Sequence, residues 1–448
     1  MLLMLAPVSL AAAGKDYGWY TEGDYIPGTR VKVTIVNSLD FARTDCPVAI
    51  TRAVMPIPDI SDFWVTVVDP TLPPNPEPTA EELEKVGGWL PRKEENGHFL
   101  PYQLDDLDKD GIWDELFFMI DIGARETKTI YLYIEPPAKT WMRGLYEQHT
   151  FAMIGNYERN LFPWWESRYL GWKIATQADV DMYGKREPMF VAFEEQIHNY
   201  SGYNKPYEQG SDILMVSDTF GTSGICLFET PSMPDSVSRS RFSPYRGTGQ
   251  FRNTRFAHQV IVSGPLRSIV RSHTMNWRTG RGEYELVQDY TAYKDKSYST
   301  CTARFTTFLP ENTETEIGCG IRHIMNDYDT YMEGGMVISF GKDVVIESPS
   351  PDESGEEKIR TVLDFEGIAM VVKDIYKPRY QAIDSWGGNH VFRIPVPDDL
   401  TFEYFFAGGW SEGSVNRTAE EFKEYVLKSA REFNSPLNIT DLKIEKKQ

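Results

Sequence analysis

The sequence predicts an all-β protein in two parts, a small N-terminal β-sandwich followed by a large antiparallel β-sandwich with a C-terminal helix. Three observations carry this. Apolar and polar residues alternate with period two in one segment after another, as in strands that bury one face. Turn residues interrupt these segments at the short intervals of a sandwich. Helical periodicity is rare until the last part of the chain.

The opening MLLMLAPVSLAAAG reads as the end of a secretory signal, apolar through Leu10 and with small residues at Ala11–Ala13 and Gly14 for cleavage. Residues 1–14 are therefore set apart from the fold, and the mature protein is expected in the periplasm or outside the cell. A buried N-terminal strand or a wrongly assigned start is the alternative. Residues 25–136 form the small sandwich. Val31, Val33 and Ile35 alternate with Arg30, Lys32 and Thr34, Phe63–Val68 is β-branched and aromatic, and Ile130, Leu132 and Ile134 share a face. A Pro-rich excursion, TLPPNPEP, leads into a short helix where Thr79 and Glu82 have capping-box spacing.

Pro136–Pro137 marks the boundary, and residues 150–435 form the large sandwich. Its expected strands are Asp212–Val216, Gly224–Glu229, Phe256–Ser263, Arg267–Trp277, Tyr284–Tyr293, Ser299–Phe308, Met336–Ser339 and Gly367–Val372. The polar stretch Ser348–Lys358 is a solvated loop. Thr418 and Glu421 make a second capping box, and Phe422, Tyr425, Val426 and Phe433 form a helical stripe that packs on the sandwich.

Charge narrows the function. The chain has 448 residues, 66 acidic and 46 basic, for a net charge of −20. That argues against a nucleic-acid partner, whose phosphates need a basic footprint. A local positive cleft still allows an anionic sugar. No run of 18 apolar residues offers a transmembrane helix. Cys46, Cys226, Cys301 and Cys319 are far apart and form no C-x-x-C pair, so a cysteine-based zinc site is not expected. Four separate buried thiols, or disulfides of undetermined pairing, both fit.

The strongest local motif runs Asp106-Leu-Asp-Lys-Asp-Gly-Ile-Trp-Asp114-Glu115. Alternate residues of a tight turn can aim carboxylates inward, and the glycine permits the bend. Asp106, Asp108, Asp110 and Asp114, with the Ile112 carbonyl, offer an oxygen-only set suited to structural Ca²⁺. The loop departs from an EF-hand: Phe117 occupies the position of the bidentate Glu, and a strand follows instead of a helix. A hairpin turn with solvated carboxylates is the alternative. No organic cofactor is expected.

The stretch PYQLDDLDKDGIWDELFFMIDIGARETKTIYLYI resembles the first domain of a bacterial family long described only as a domain of unknown function. WWESRYLGWKI, GSDILMVSDTFGTSGI, GPLRSIVR and YFFAGGWSEG are similar in kind and in order, so the resemblance covers roughly residues 30 to 435. The family occurs among polysaccharide-utilisation genes and includes an ulvan oligosaccharide dehydratase. The resemblance implies a galactose-mutarotase-like β-supersandwich after the first sandwich, and a polysaccharide-processing role. Activity does not follow from fold alone.

Water elimination from a terminal uronic acid needs a base beside the carboxylate, a group that stabilises enolate-like charge, and an acid for the departing hydroxyl. Histidine and tyrosine suit the proton transfers, and arginine suits a carboxylate clamp. Among seven histidines, His198, in the loop Gln-Ile-His-Asn-Tyr-Ser-Gly-Tyr203, is the first catalytic candidate, with Tyr203 as partner. His258 and His273 fall on adjacent strands, with Arg255 starting the first and Arg271 sharing a face with His273. These four add two catalytic and two substrate-binding candidates. Trp386 and His390, in one loop, are further substrate-binding candidates, and His323 follows Arg322. His98 and His149 show no partner in sequence. For every one of these histidines a structural role is the competing reading. Trp164, Trp165 and Trp172 suit either a sugar platform or the core.

The leading expectation is a dehydratase or lyase acting on a uronic-acid oligosaccharide, an anionic substrate. A glycoside hydrolase would need two opposed carboxylates, for which Glu194, Glu195, Asp212 and Asp289 are available. A non-catalytic glycan-binding protein would show an aromatic platform without a His/Tyr/Arg constellation.

Overall fold

The structure is a computed structural model. It describes residues 17–448 apart from residues 24, 58–64, 78, 86–92, 135–146, 158–159, 176–177, 193–207, 217, 231, 234–235, 241–253, 347–359 and 385–386. The signal-like residues 1–14 and the polar loop 348–358 lie outside the described residues.

The first sandwich packs two antiparallel sheets. One has five strands in the order Asn438–Lys446, Thr29–Val36, Thr127–Tyr133, Thr66–Asp69 and His98–Phe99. The other has three, Arg43–Thr51, Glu115–Ile122 and Tyr102–Asp105. Val31, Val33, Ile35, Ile130 and Leu132 meet Val48, Ile50, Leu116, Phe118 and Ile120 between the sheets. The alternation read in sequence is thus the core face. The strand Asn438–Lys446 comes from the far end of the chain and pairs with Thr29–Val36. The first sandwich therefore extends beyond residues 25–136. In the helix Ala80–Lys85, Thr79 N donates to Glu82 Oε2 at 2.8 Å and Glu82 N to Thr79 Oγ1 at 3.2 Å, closing the expected capping box.

The large domain is an antiparallel sandwich built on one eight-stranded sheet. Its order is Arg255–Ser263, Arg267–Arg278, Gly282–Tyr293, Tyr298–Pro310, Thr401–Trp410, Glu366–Val372, Met336–Lys342 and Asn326–Glu333. A five-stranded sheet, which includes Asn160–Ser167, Leu170–Ala175 and Asp179–Lys185, packs opposite it. So does a four-stranded sheet of Gly224–Phe228, Glu316–Arg322, Asn389–Ile394 and Arg379–Ile383. Trp165, Trp172, Trp277, Tyr290, Phe392 and Phe406 fill the space between, and Trp164 packs in a neighbouring cluster. All three tryptophans of the Trp164–Trp172 stretch are fully buried, so they serve the core.

The middle of the eight-stranded sheet is buried on both faces. Ile368, Met370, Tyr404 and Phe406 face the inner core, while Ala369, Val371, Phe405 and Ala407 face the helix Ala419–Asn434 through Phe422, Val426 and Ala430. Thr418 Oγ1 caps that helix by accepting from Glu421 N. All four cysteines are buried and unpaired. No helix among the described residues is long and apolar enough to cross a membrane.

The two domains join at Gln103, Asp105 and Arg267. Gln103 Oε1 accepts from Leu266 N and Arg267 N, both at 3.0 Å. The Arg267 guanidinium meets Asp105 at 2.6 Å and Glu115 at 2.7 Å. A cavity of about 450 Å³ opens beside this junction, lined by Arg43, Arg267, Asp289, Lys373, Glu403 and Glu432 among others. Its acids and bases largely neutralise one another, since Lys373 pairs with Glu403 and Asp289 with Arg271.

Candidate functional site

The chemistry-bearing cluster of the described residues lies where the four-stranded sheet meets the edge strand Asn326–Glu333. His390 is the second residue of its strand and lies on the same face as Phe392 and Ile394, which enter the core. The neighbouring strand pairs Ala382 with His390 and Tyr380 with Phe392, so Tyr380 shares that face. Tyr380 Oη and His390 Nδ1 share a hydrogen bond of 2.8 Å. On the other side, Thr330 Oγ1 lies 3.4 Å from His390 Nε2. The His323 ring stacks between partners, its centroid 4.0 Å from that of His390 and 5.0 Å from that of Tyr328.

A glycine turn makes this stacking possible. Gly387 and Gly388 have φ of +83° and +86°, a region that side chains rarely adopt. A Cβ on Gly388 would stand 3.2 Å from His323 Nδ1. His323 N donates to Gly388 O at 3.1 Å, which ties the two loops together.

The electrostatics follow from burial. His390 is 3 % exposed, and burial, reinforced by repulsion from His323, pushes its pKa down to about 3. Burial also lowers His323, with Arg322 acting in the same sense and Asp384 opposing it. Both imidazoles are therefore neutral at neutral pH. Burial raises Tyr380, with Tyr328 and Asp384 adding to the effect, so the phenol keeps its proton. Tyr328 and Tyr380 are exposed at 49 % and 38 %, enough to present ring faces to a ligand. The arrangement offers a neutral base, a protonated acid and two aromatic surfaces within one cluster.

The candidates named from sequence fall in three places. His198, Tyr203 and Trp386 lie outside the described residues, as do Glu194 and Glu195. His390 belongs to the cluster just described. Arg255, Arg271, His258 and His273 sit at the opposite edge of the eight-stranded sheet. Five strands separate the strand Arg267–Arg278 from Asn326–Glu333, roughly 25–30 Å at ~4.8 Å per strand.

The register decides how the candidates His258 and His273 sit relative to each other. His258 pairs with Ser272, on the face of core residue Val270, whereas His273 pairs with Ala257 on the other face. Adjacent pairs in a ladder point to opposite sides, so the two rings are separated by the sheet. Arg271 does share a face with His273, but Asp289 takes its guanidinium at 2.7 and 2.8 Å. It is not set out as an open carboxylate clamp. Asp289 is committed to that pairing, and Asp212 is among the charges around buried Lys173. His258 Nδ1 and His273 Nε2 are buried without a hydrogen-bond partner among the described residues. His149 contacts Asp295 at 3.2 Å, and His98 Nδ1 lies 3.0 Å from Pro73 O.

In the acidic loop, Asp106, Asp108 and Asp114 bring carboxylate oxygens within 4.8 Å of one another. Asp110 is not among them; its Oδ1 accepts from Ile112 N at 2.7 Å. The loop uses its carboxylates to bind its own backbone, with Asp114 Oδ2 accepting from Leu107 N at 2.7 Å and Asp106 Oδ2 from Gly111 N at 2.9 Å. Three of the five expected ligands therefore converge, on an oxygen set that suits Ca²⁺.

A family model described as "Domain of unknown function (DUF4861)" matches residues 81–439. The chain belongs to this family. The match spans the acidic loop, the later strands of the first sandwich, the large domain and the His323–His390 cluster. No curated protein matches the chain. Among solved structures, the chain is similar to an alpha-mannosidase from Enterococcus faecalis V583 at 10 % identity and a TM-score of 0.45, over 94 % of this chain and 46 % of that one. It is likewise similar to a protein in glycosyl hydrolase family 38 from Enterococcus faecalis, at 10 % identity and a TM-score of 0.45, over 93 % and 47 %. The chain spans about half the length of these two.

Sequence reasoning reached His390 but assigned it to ligand binding beside Trp386, and it noted His323 only as the neighbour of Arg322. Tyr380, Tyr328 and Thr330 were missed. The available signal was the Gly387–Gly388 turn between two short strands. Folding that segment as a hairpin places Tyr380 and His390 on one face.

Proposed function

We propose that the protein is a carbohydrate-active enzyme, periplasmic or secreted, that removes water from the terminal uronate of an oligosaccharide. The observation that carries this reading is the hydrogen-bonded Tyr380–His390 pair stacked against His323. Elimination needs a base that is neutral and an acid that is protonated at the same pH, and these groups meet both conditions.

His323 is the base. It takes the proton beside the carboxylate through Nδ1, which Gly388 leaves uncrowded. Tyr380 is the acid. It protonates the departing hydroxyl, which leaves as water while the C–C double bond forms. A proton on Tyr380 does not reside on His390, whose pKa is pushed down to about 3, so His390 orients the phenol instead of ionising it. Afterwards His323 gives its proton to water and Tyr380 takes one from water, which restores the starting state. Tyr328 and Tyr380 provide the faces on which a sugar ring rests.

The test is incubation with uronic-acid oligosaccharides, following the ultraviolet absorbance of a conjugated unsaturated uronate together with product mass. Loss of one water without chain cleavage is expected. Chain cleavage with the absorbance would make it a lyase, and cleavage without it a hydrolase. Binding without product across a broad glycan panel would mark a glycan-binding protein and overturn the enzymatic reading.

A further inference from the structure

His323 is held by a buried charge group that neither the stacking nor the hydrogen bonds of the cluster explain. Arg322, the residue before it, ends the strand Glu316–Arg322 and is 2 % exposed. Its guanidinium is spent in three directions. Nε donates to His323 O at 2.8 Å, Nη1 donates to Met215 O, and Nη2 forms an ion pair with Asp343 Oδ2 at 3.1 Å. Asp343 is fully buried and follows the strand Met336–Lys342. Beside it is Glu366, also fully buried, the first residue of Glu366–Val372.

These residues come from different sheets. Arg322 belongs to the four-stranded sheet, whereas Asp343 and Glu366 belong to the eight-stranded sheet or its end. On the other side of His323, Ile324 N donates to Ser339 Oγ at 3.0 Å, again across to the eight-stranded sheet. His323 is thus flanked by two cross-sheet attachments. The cluster depends on the spacing they set, because His390 comes from one sheet and Thr330 from the other.

The charge balance indicates the state of the group. Two carboxylates and one guanidinium would leave a net negative charge in a dry site, a costly arrangement. No N–H donor among the described residues reaches either Glu366 oxygen. Burial and the neighbouring Asp343 both raise the Glu366 pKa well above the ordinary carboxyl range. Glu366 is therefore held as a neutral acid beside Asp343, which leaves the Arg322–Asp343 pair balanced.

We propose that Arg322 and Asp343, backed by Glu366, form a cross-sheet bolt that positions His323 against His390. The inference rests on the reading of His323 as the base, and Arg322 is a positioning residue that touches no substrate.

The test uses three variants of the full chain. Each is assayed for turnover on a uronic-acid oligosaccharide, and each is assayed separately for the His323 and His390 ring signals by NMR, assigned with His→Gln controls. Glu366→Gln keeps a neutral donor in place, so turnover within about twofold of wild type and unchanged ring signals are expected. Arg322→Lys keeps the charge but loses the fork. It is expected to lower kcat by ~10- to 100-fold with KM nearly unchanged, and to shift the His323 ring signal. The double variant Arg322→Met with Asp343→Leu removes the charges together and guards against misfolding from an unpaired buried ion. It is expected to stay folded and to show the same loss of kcat and the same displaced signal.

Folded Arg322 variants, single or double, whose His323 ring signals match wild type overturn the bolt, whatever their activity. A Glu366→Gln protein that loses its His323 signal position overturns the neutral-acid assignment. Wild-type protein inactive on every uronate tested refutes the proposed reaction, while the NMR readout still decides the bolt.

Discussion

The two edges of the eight-stranded sheet carry similar residue types and differ in what surrounds them. At one edge, Arg271 and His273 share a strand and His258 lies on the next. Arg271 is held by Asp289, and the two rings face opposite sides of the sheet. At the other edge, four separate stretches of chain bring Tyr328, Thr330, Tyr380, His323 and His390 together. Density of reactive residue types along a sequence is therefore a poor guide to a site. Convergence across strands, which sets burial and hydrogen bonding together, is the better one.

The largest effect that tests this contrast is on turnover. Tyr380→Phe is expected to lower kcat on a uronate oligosaccharide by ~10²- to 10⁴-fold, the usual contribution of a positioned proton donor. His273→Ala, at the other edge, is expected to leave kcat within about twofold while the protein stays folded. Steady-state kinetics on both variants checks the pair, and the reverse ranking would break the comparison.

Next is the glycine turn. Gly388→Ala would place a methyl group 3.2 Å from His323 Nδ1 at a φ of +86°. A cost of about 1–3 kcal/mol in stability is expected, measured by denaturant unfolding, together with a fall in kcat. An alanine variant as stable and active as wild type would show that the turn does not set the His323 ring.

The pH dependence follows from the buried imidazoles. Burial lowers His390 from 6.5 to about 3 and His258 from 6.5 to about 4. A folded-state pKa below the unfolded value means that the unfolded chain binds the extra proton first. The stabilisation is fully present above about pH 6.5 and is lost as pH falls toward 3 to 4. The melting temperature should therefore drop more steeply in this window for wild type than for His390→Asn or His258→Asn. Because this term depends on burial alone, both edges contribute to it, in contrast to turnover.

The smallest effect concerns the acidic loop. If Asp106, Asp108 and Asp114 hold Ca²⁺, calcium raises the melting temperature by a few degrees relative to chelator, and Asp108→Asn removes the response. Identical melting with calcium and chelator would leave the loop as a self-bonded turn.

Much of the fold was legible because period-two alternation survives in single strands. Val31, Val33 and Ile35 gave a correct core face, and the Thr418 capping box gave the start of the last helix. The strand Asn438–Lys446 escaped because the register shifts opposite Thr34 and Ile35, which pair with Asp441 and Ile439. The extra residue puts Ile439 and Leu442 on the core side at a spacing of three, which breaks the alternation. The site was less legible for a related reason. His390 and Tyr380 meet through a hairpin, but His323, Tyr328 and Thr330 reach them only by tertiary packing, and no local pattern encodes that distance.

The returning strand also bears on how the chain acquires its shape. Thr29–Val36 lies between Asn438–Lys446 and Thr127–Tyr133, so until the last residues arrive it presents an unpaired edge. A polypeptide emerging from the N-terminal side can build the large sandwich while the first one stays open. These two sequence-distant strands pair late, and an exposed strand edge in the meantime invites pairing with another chain. Removing residues 438–446 would leave that edge permanently open and raise the tendency to self-associate.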